Sequence, residues 1–421
     1  MSFQINTTNE FICEHPNAIE KKYTTVLDEY LILYEDANIT EISDAELENY
    51  HSIILENPSR NLLSFAPPKT LDYSDISTFL HSSEFADLPQ TDIHTSELIE
   101  GTFIHLFYDS RIHSWEIATK KAIGGRYSYY HIPDEYTPTY REMMMEAFHL
   151  SEKTPIAEIP FITDLSKTHC YSWILQHPKN HIVIPIETPK MYLVSVFEIN
   201  AVEQIATFIS PEIYQKWPVF EKPIQEKIMY FPKTFIPSDF HTENSMSKII
   251  IHYIQENASI HTPYYHMGLV FTNIHNGKRA TFINPNYLEV AEIRGNHSNL
   301  LYQYLCLKRI QKIRIFLHYF PQYYSLFNLY KHKYDDLINK LHGYYLSYYV
   351  KKSGELIPKK FFLIIYKLHH SVFLPSIATS DKIIIRKSVV RDYLQELDPI
   401  TLLYLLNGNL LEPHEGVCSF G

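Results

Sequence analysis

Apolar positions recur at helical spacing near the start of the chain, over residues 21–34 and 43–55, and predict two amphipathic helices. Residues 57–70, with Pro58, Pro67 and Pro68, predict a loop. The middle third changes rhythm. Alternating aromatic and β-branched residues over 102–108 and 115–119 flank 109–114 and predict a hairpin. A second hairpin is expected between 171–176 and 181–186 across 177–180, with 191–199 continuing its sheet, and a third between 266–274 and 279–284. Thr137, Pro138 and Thr139 supply a cap and a first-turn proline for a helix reaching about 150, and 246–256 predicts another. After about residue 298 the period becomes helical throughout: 300–319, 334–350, 358–373 and 385–406, the last broken near Pro399. The fold class expected is α+β, an antiparallel-sheet domain followed by an all-helical C-terminal domain.

Composition narrows the class. The 421 residues are 45% hydrophobic and 20% charged, which excludes disordered, collagen-like and disulfide-scaffold chains and suggests two or three domains. The domains expected are an acidic, mostly helical segment over 1–90, an α+β domain over 91–299 and a helical domain over 300–421. Net charge runs from −15 over residues 1–100 through −3 over 101–300 to +7 over 301–421, so nothing in it demands a nucleic-acid partner. Cys13, Cys170, Cys306 and Cys418 lie far apart with no metal-finger spacing, which fits reduced thiols in a cytosol-like compartment. No secretory signal is read at the start. The most apolar stretch, 361–378, carries Lys367, His369 and His370, so no membrane insertion is expected.

Three segments carry a resemblance. Glu97-Leu98-Ile99-Glu100-Gly101-Thr102, followed by a hairpin and Ala118-Thr119-Lys120-Lys121-Ala122-Ile123-Gly124-Gly125, resembles the first motifs of the covalent nucleotidyltransferases, the superfamily of RNA ligases, DNA ligases and capping enzymes. In that superfamily a Lys-x-Asp/Glu-Gly turn opens a hairpin ending in a Thr/Ser-basic-Gly segment. The run from Tyr171 through Trp173, Pro178, Lys179 and Asn180 to Val183 is similar to the central strand-turn-strand of phage-type RNA ligases. His266-Met267-Gly268-Leu269-Val270 stands where those enzymes carry Glu-Gly-x-Val. Ile283 to Tyr287, Arg294 to Asn296 and the helices beyond look like a ligase-related, asfivirus-like family of large cytoplasmic DNA viruses. The order and spacing agree over roughly 95–300 and more loosely to 407.

The resemblance implies a lysine amine that attacks the α-phosphate of ATP, carboxylates that hold Mg²⁺, and further lysines that neutralise developing charge. Leu98 occupies the nucleophile's position, and an aliphatic side chain forms no phosphoramidate. Met267 replaces the expected glutamate, the central strand offers Ser172 and Ile174 where a carboxylate is expected, and the final lysine pair reads Lys278-Arg279-Ala280-Thr281-Phe282, unless it has slipped onto Lys278 and Arg279 in the turn. The expectation is a catalytically degenerate ligase-like viral protein with no catalytic residue, no metal and no resident cofactor. It would keep nucleotide or nucleic-acid binding, or serve as a virion component, located in the particle and host cytoplasm. The alternative is a divergent active RNA ligase, with ATP and Mg²⁺, using a relocated lysine such as Lys120 or Lys121.

The residues left for a pocket are Glu100, Gly101, Thr102, Lys120, Lys121, Arg126, Lys179 and Asn180. Two readings stay open for them. Glu100 contacts a ribose or base and the cations contact phosphates; or Gly101 serves the turn, Thr102 starts a strand, and Pro178 and Asn180 are turn residues. The partners expected are RNA or DNA ends and other viral proteins, and a third reading makes the chain a protein-interaction module. No His-Glu-x-x-His, Gly-x-Ser-x-Gly or phosphate-loop motif occurs. Lys308, Arg309, Lys312 and Arg314, and the pairs Lys351-Lys352 and Lys359-Lys360, either follow a nucleic-acid backbone or line solvated helix faces.

Overall fold

The computed structural model describes residues 2–25, 28–35, 47–72, 85, 88, 92–129, 136–180, 182–235, 246–354, 356–377 and 382–407. The described residues fall into two compact units, one built from those up to 129 with 136–291, the other from 292–407.

The strands of the first unit are β1 (Ser2–Gln4), β2 (Ala18–Thr24), β3 (Glu29–Glu35), β4 (Ile53–Glu56), β5 (Leu62–Phe65), β6 (Leu71–Asp72), β7 (Ile93–Glu97) and β8 (Thr102–Asp109). They continue with β9 (Ser114–Thr119), β10 (Ala122–Ile123), β11 (His169–Gln176), β12 (Lys190–Asn200), β13 (Ile205–Ile209), β14 (Thr234–Phe235), β15 (Gly268–Asn273) and β16 (Arg279–Ile283). They make a seven-stranded antiparallel sheet in the order β1-β13-β12-β11-β8-β9-β10, a five-stranded sheet β14-β7-β15-β16-β6 and a four-stranded sheet β2-β3-β4-β5. Among the described strands only the β16–β6 pair is parallel. This is the α+β class expected, with antiparallel sheets first and helices after.

Alternation along β8 and β11 divides the core. Phe107 and Cys170 point to the four-stranded sheet and pack with Tyr30, Ile32, Phe65 and Phe197. Ile104, Leu106, Tyr171 and Trp173 point the other way, against Met143, Met144 and Met145 of the helix Tyr140–Ala147. Thr139 caps that helix, its side chain accepting from the Glu142 amide while the Glu142 carboxylate accepts from the Thr139 amide. Trp173 is among the largest fully buried side chains, and its truncation to alanine costs about 3–5 kcal/mol.

The first and third hairpins form as expected, β8 with β9 and β15 with β16. The N-terminal expectation is corrected: residues 21–34 cover the end of β2 and most of β3, and between the two strands the Asp28 amide donates to the Thr25 hydroxyl. The five middle residues of β3 are all buried, so the strand lacks the alternation of a half-exposed one, and an apolar run of that kind fits either period. Of the helix expected over 43–55, residues 43–46 lie outside the described residues and the end is β4; the loop expected over 57–70 contains β5. The second hairpin is also corrected, because β11 pairs with β12 rather than with 181–186. Pro185 and Pro189 remove ladder donors there, and the amides of Ile182, Val183 and Ile184 turn inward to a carboxylate.

In the second unit the helices are Leu300–Arg309, Ile313–Tyr319, Tyr324–Tyr345, Lys359–Lys367, Leu374–Ile377, Lys387–Gln395 and Pro399–Asn407. Residues 300–319 break into two helices at Ile310, and residues 334–350 form the end of a longer one. No helix among the described residues is long and apolar enough to cross a membrane.

Candidate functional site

The link from β7 to β8, Leu98 to Gly101, passes between the five- and seven-stranded sheets, and two cavities meet along it. The first, about 240 Å³, lies between the sheets. Leu98, Ile99, Phe103, Ile174, Val194 and Val270 supply apolar walls, and His51, His94, Ser96, Glu97, Thr272 and Arg279 supply polar atoms. The second, about 270 Å³, shares Glu97, Leu98 and Ile99 and adds Glu100, Gln176, Glu187, Lys190, Tyr192 and Tyr265.

Leu98, expected from the motif resemblance to stand at the nucleophile's position, lines both cavities, its amide donating to the Gly268 carbonyl at 2.9 Å. Glu100 is buried, and its carboxylate accepts from the amides of Ile182, Val183 and Ile184 at 3.1–3.3 Å. Its backbone carbonyl accepts from the Gln176 side chain at 2.9 Å. At Gly101 a Cβ would lie 2.4 Å from the Leu175 carbonyl oxygen, so only glycine lets the link cross β11 this closely. Asn180 donates to the Thr102 hydroxyl at 2.7 Å. His177 orders the same turn: its Nδ1 accepts from the Lys179 amide, and its Nε2–H donates to Glu146 at 2.8 Å.

The cations are more scattered. Lys121 is exposed and stands 4.7 Å over the Tyr34 ring, Lys179 is exposed and 5.9 Å over Tyr136, and Arg126 is exposed. None of them lines either cavity. The Lys120 backbone carbonyl accepts from Ser52, and its ammonium lies close enough to His51 to disfavour that ring's protonation. Met267 is half-buried, outside both cavities.

Two cations stand where motif reading did not put them. Arg279, the first residue of β16, donates through Nη2 to the Pro68 carbonyl at 3.0 Å, while its buried Nε–H has no partner. Burial brings its guanidinium down to about 10. Its position in Lys278-Arg279 is the one sequence signal that pointed to it. Lys190 opens β12 opposite Gln176 in register and has its ammonium 5.7 Å from the Tyr230 ring centre; the corrected strand pairing is what brings it to the second cavity.

Histidines complete the first cavity. Burial, then Lys120 and Arg279, bring His51 down to about 4, and its buried Nδ1 has no partner. Burial alone brings His94 down to about 4. Both rings are therefore neutral near pH 7. Apolar walls with neutral rings, hydroxyls, the Glu97 carboxylate and one incompletely satisfied guanidinium suit a flat ligand that both donates and accepts hydrogen bonds. Among the described residues no three His, Cys, Asp or Glu side chains converge as a cation set.

No protein-family model matches the chain. A stretch of 108 residues is 29% identical to an RNA ligase of Rhodothermus phage RM378, spanning 25% of this chain and 23% of the phage protein. The structure is similar to a Naegleria gruberi RNA ligase at TM-score 0.33 and 10% identity, over 48% of this chain and 51% of that one. It is similar to a putative ATP-dependent DNA ligase from Aquifex aeolicus at TM-score 0.39 and 12% identity, over 76% and 69% of the two chains. An archaeal ATP-dependent RNA ligase gives TM-score 0.39 and 10% identity over 73% and 66%. The chain thus matches under a quarter of the phage protein's length and about half of the Naegleria one.

Proposed function

We propose that the first unit is an RNA-ligase-like domain that has lost lysine adenylylation and retains a pocket for a nucleotide or a nucleic-acid end. The observation that carries this reading is Leu98 in the wall shared by both cavities, with Arg279 and His51 keeping unpartnered polar atoms at the first. An aliphatic residue there forms no covalent nucleotide, whereas a guanidinium beside apolar walls still attracts one. Supporting it are the short identity to a phage RNA ligase and the resemblance of three ordered motifs. On the same reading the protein belongs to a large DNA virus and travels in its particle.

Incubation of the purified chain with radiolabelled ATP or GTP and Mg²⁺ or Mn²⁺ tests this. The expected result is reversible binding with no label surviving denaturation. Label retained on a lysine would overturn the loss of chemistry.

Lys190 supports a second reading. It lines the same cavity as Leu98 and three glutamates, Glu97, Glu100 and Glu187, so a lysine shares the cavity with the vacated position. A relocated nucleophile would place the label on a peptide containing Lys190 and lose it in Lys190→Arg.

A further inference from the structure

The second unit carries a surface the ligase-like reading does not use. The helix Tyr324–Tyr345 widens into a π-helical turn over Leu346–Lys351, and the helix Lys359–Lys367 widens in the same way over Leu368–Phe373. The two wide turns meet. Tyr349 of the first stacks on His369 of the second, centroids 3.7 Å apart and planes 9° from parallel. Wide turns of this kind are costly within an α-helix and concentrate at functional sites.

Around that stack the rings turn outward. Tyr348, Phe362 and Tyr366 are each more than 40% exposed, although large aromatic rings normally bury most of their surface. Tyr348 meets Phe362 edge-on at 5.9 Å, and Tyr366 stacks on His370 at 4.0 Å. Helical spacing puts Lys359, Phe362, Tyr366, Lys367 and His370 on one face, and all are exposed. Tyr348 and Phe362 also wall an open cleft of about 470 Å³, with Lys352 at its side. Residues 344–377 hold five lysines and one glutamate. None of the five lysines makes an ion pair among the described residues.

We propose that Tyr348, Phe362 and Tyr366, flanked by Lys352, Lys359 and Lys367, form a stacking platform for the unpaired bases of a single-stranded nucleic acid. Aromatic faces accept any base, and interleaved ammonium groups follow the phosphates; this pairing of rings with cations is what single strands require and a duplex, whose bases are already stacked, does not. A lipid surface takes up aromatic and aliphatic side chains alike, so vesicle binding is the competing outcome that the test has to separate. The proposal stands apart from the pocket of the first unit and survives its failure.

Fluorescence anisotropy of the full chain with labelled 12-nucleotide uridine and thymidine strands, and with a duplex of equal length, tests it. Single strands of either sugar are expected to bind more tightly than the duplex. Phe362→Ala and Tyr366→Ala are each expected to weaken binding about tenfold, with Phe362→Trp restoring it. Lys359→Gln should lessen the salt dependence by about 0.7 in the log–log slope. Equal affinity for duplex and single strand, or unchanged affinity in both ring variants when circular dichroism shows the fold intact, would overturn the proposal. So would capture by anionic phosphatidylserine vesicles with no binding to either strand.

Discussion

Glu100→Gln separates a carboxylate that holds the fold from one that holds a ligand. The wild-type carboxylate accepts from three backbone amides, those of Ile182, Val183 and Ile184, at 3.1–3.3 Å inside the protein. Glutamine keeps one acceptor oxygen but turns an NH₂ group toward amides that are themselves donors. Hydrogen bonds to charged groups contribute about 1.5–3 kcal/mol each, and leaving a buried donor unsatisfied costs about 1–3 kcal/mol. With one of three bonds kept and two lost or weakened, the expected destabilisation is about 3 kcal/mol. The assay is urea denaturation followed by tryptophan fluorescence. Trp115, Trp173 and Trp217 are the chain's three tryptophans and all lie in the first unit, so the signal reports that unit alone. A midpoint unchanged within about 0.5 kcal/mol, together with lost nucleotide affinity, would refute the reasoning and return Glu100 to a ligand-binding role.

Acid should loosen the same unit. His51 and His94 titrate near 4 in the fold and His105 near 3, all three brought down mainly by burial from the ordinary 6.5. As pH falls below about 6.5 the unfolded chain takes up protons that the fold refuses, so stability declines with a slope approaching about 1.4 kcal/mol per pH unit for each histidine. It should level off only near pH 3 to 4, and urea midpoints between pH 4 and 8 check this. Gly268→Ala would put a Cβ 2.1 Å from the Phe282 carbonyl oxygen, and the same fluorescence assay should show a loss of at least about 2 kcal/mol. Leu98→Lys should not restore covalent labelling from ATP and Mg²⁺, because the Glu100 carboxylate is taken up by three backbone amides and the glutamates of that cavity do not converge as a cation set among the described residues; label found by mass spectrometry on the introduced amine would contradict this. Arg279→Met should weaken reversible nucleotide binding about tenfold or more by calorimetry while leaving the fold intact.

Much of the architecture was readable, for physical reasons that also explain the misses. The hairpins β8–β9 and β15–β16 announce themselves through short aromatic and β-branched runs on either side of polar turns. The capped helix from Tyr140 does so through Thr139 and Glu142, and the last third through its 3.6 period. β2 and β3 were hidden because β3 is buried on both faces, which erases alternation. The pairing of β11 with β12 was hidden because 182–184 keep the β-branched composition of a strand while their amides bind Glu100, a contact that no local pattern encodes. The same displacement hid Lys190, whose place beside Leu98 depends on the true partner of β11. Arg279 was visible only as half of a pair in a turn, and its burial against the cavity belongs to tertiary packing.

The surviving motif residues do not, by surviving, argue for a surviving reaction. Gly101 is required by the Leu175 carbonyl beside it, Gly268 by Phe282, Glu100 by three inward amides, and Thr102 by Asn180. Each of these holds the link between two sheets in place whether or not anything binds. On the proposed reading Leu98 stands in for a lysine that would have had no such structural duty, so selection for the fold alone would keep Glu-Gly-Thr and release the nucleophile. Retained function has to be sought in polar atoms the fold leaves unsatisfied: the buried Nε–H of Arg279 and the buried Nδ1 of His51, on two residues that line one cavity. If those two atoms also proved dispensable for binding every nucleotide tried, the domain would be a scaffold, and the exposed rings of the second unit would be left as the place where the chain meets nucleic acid.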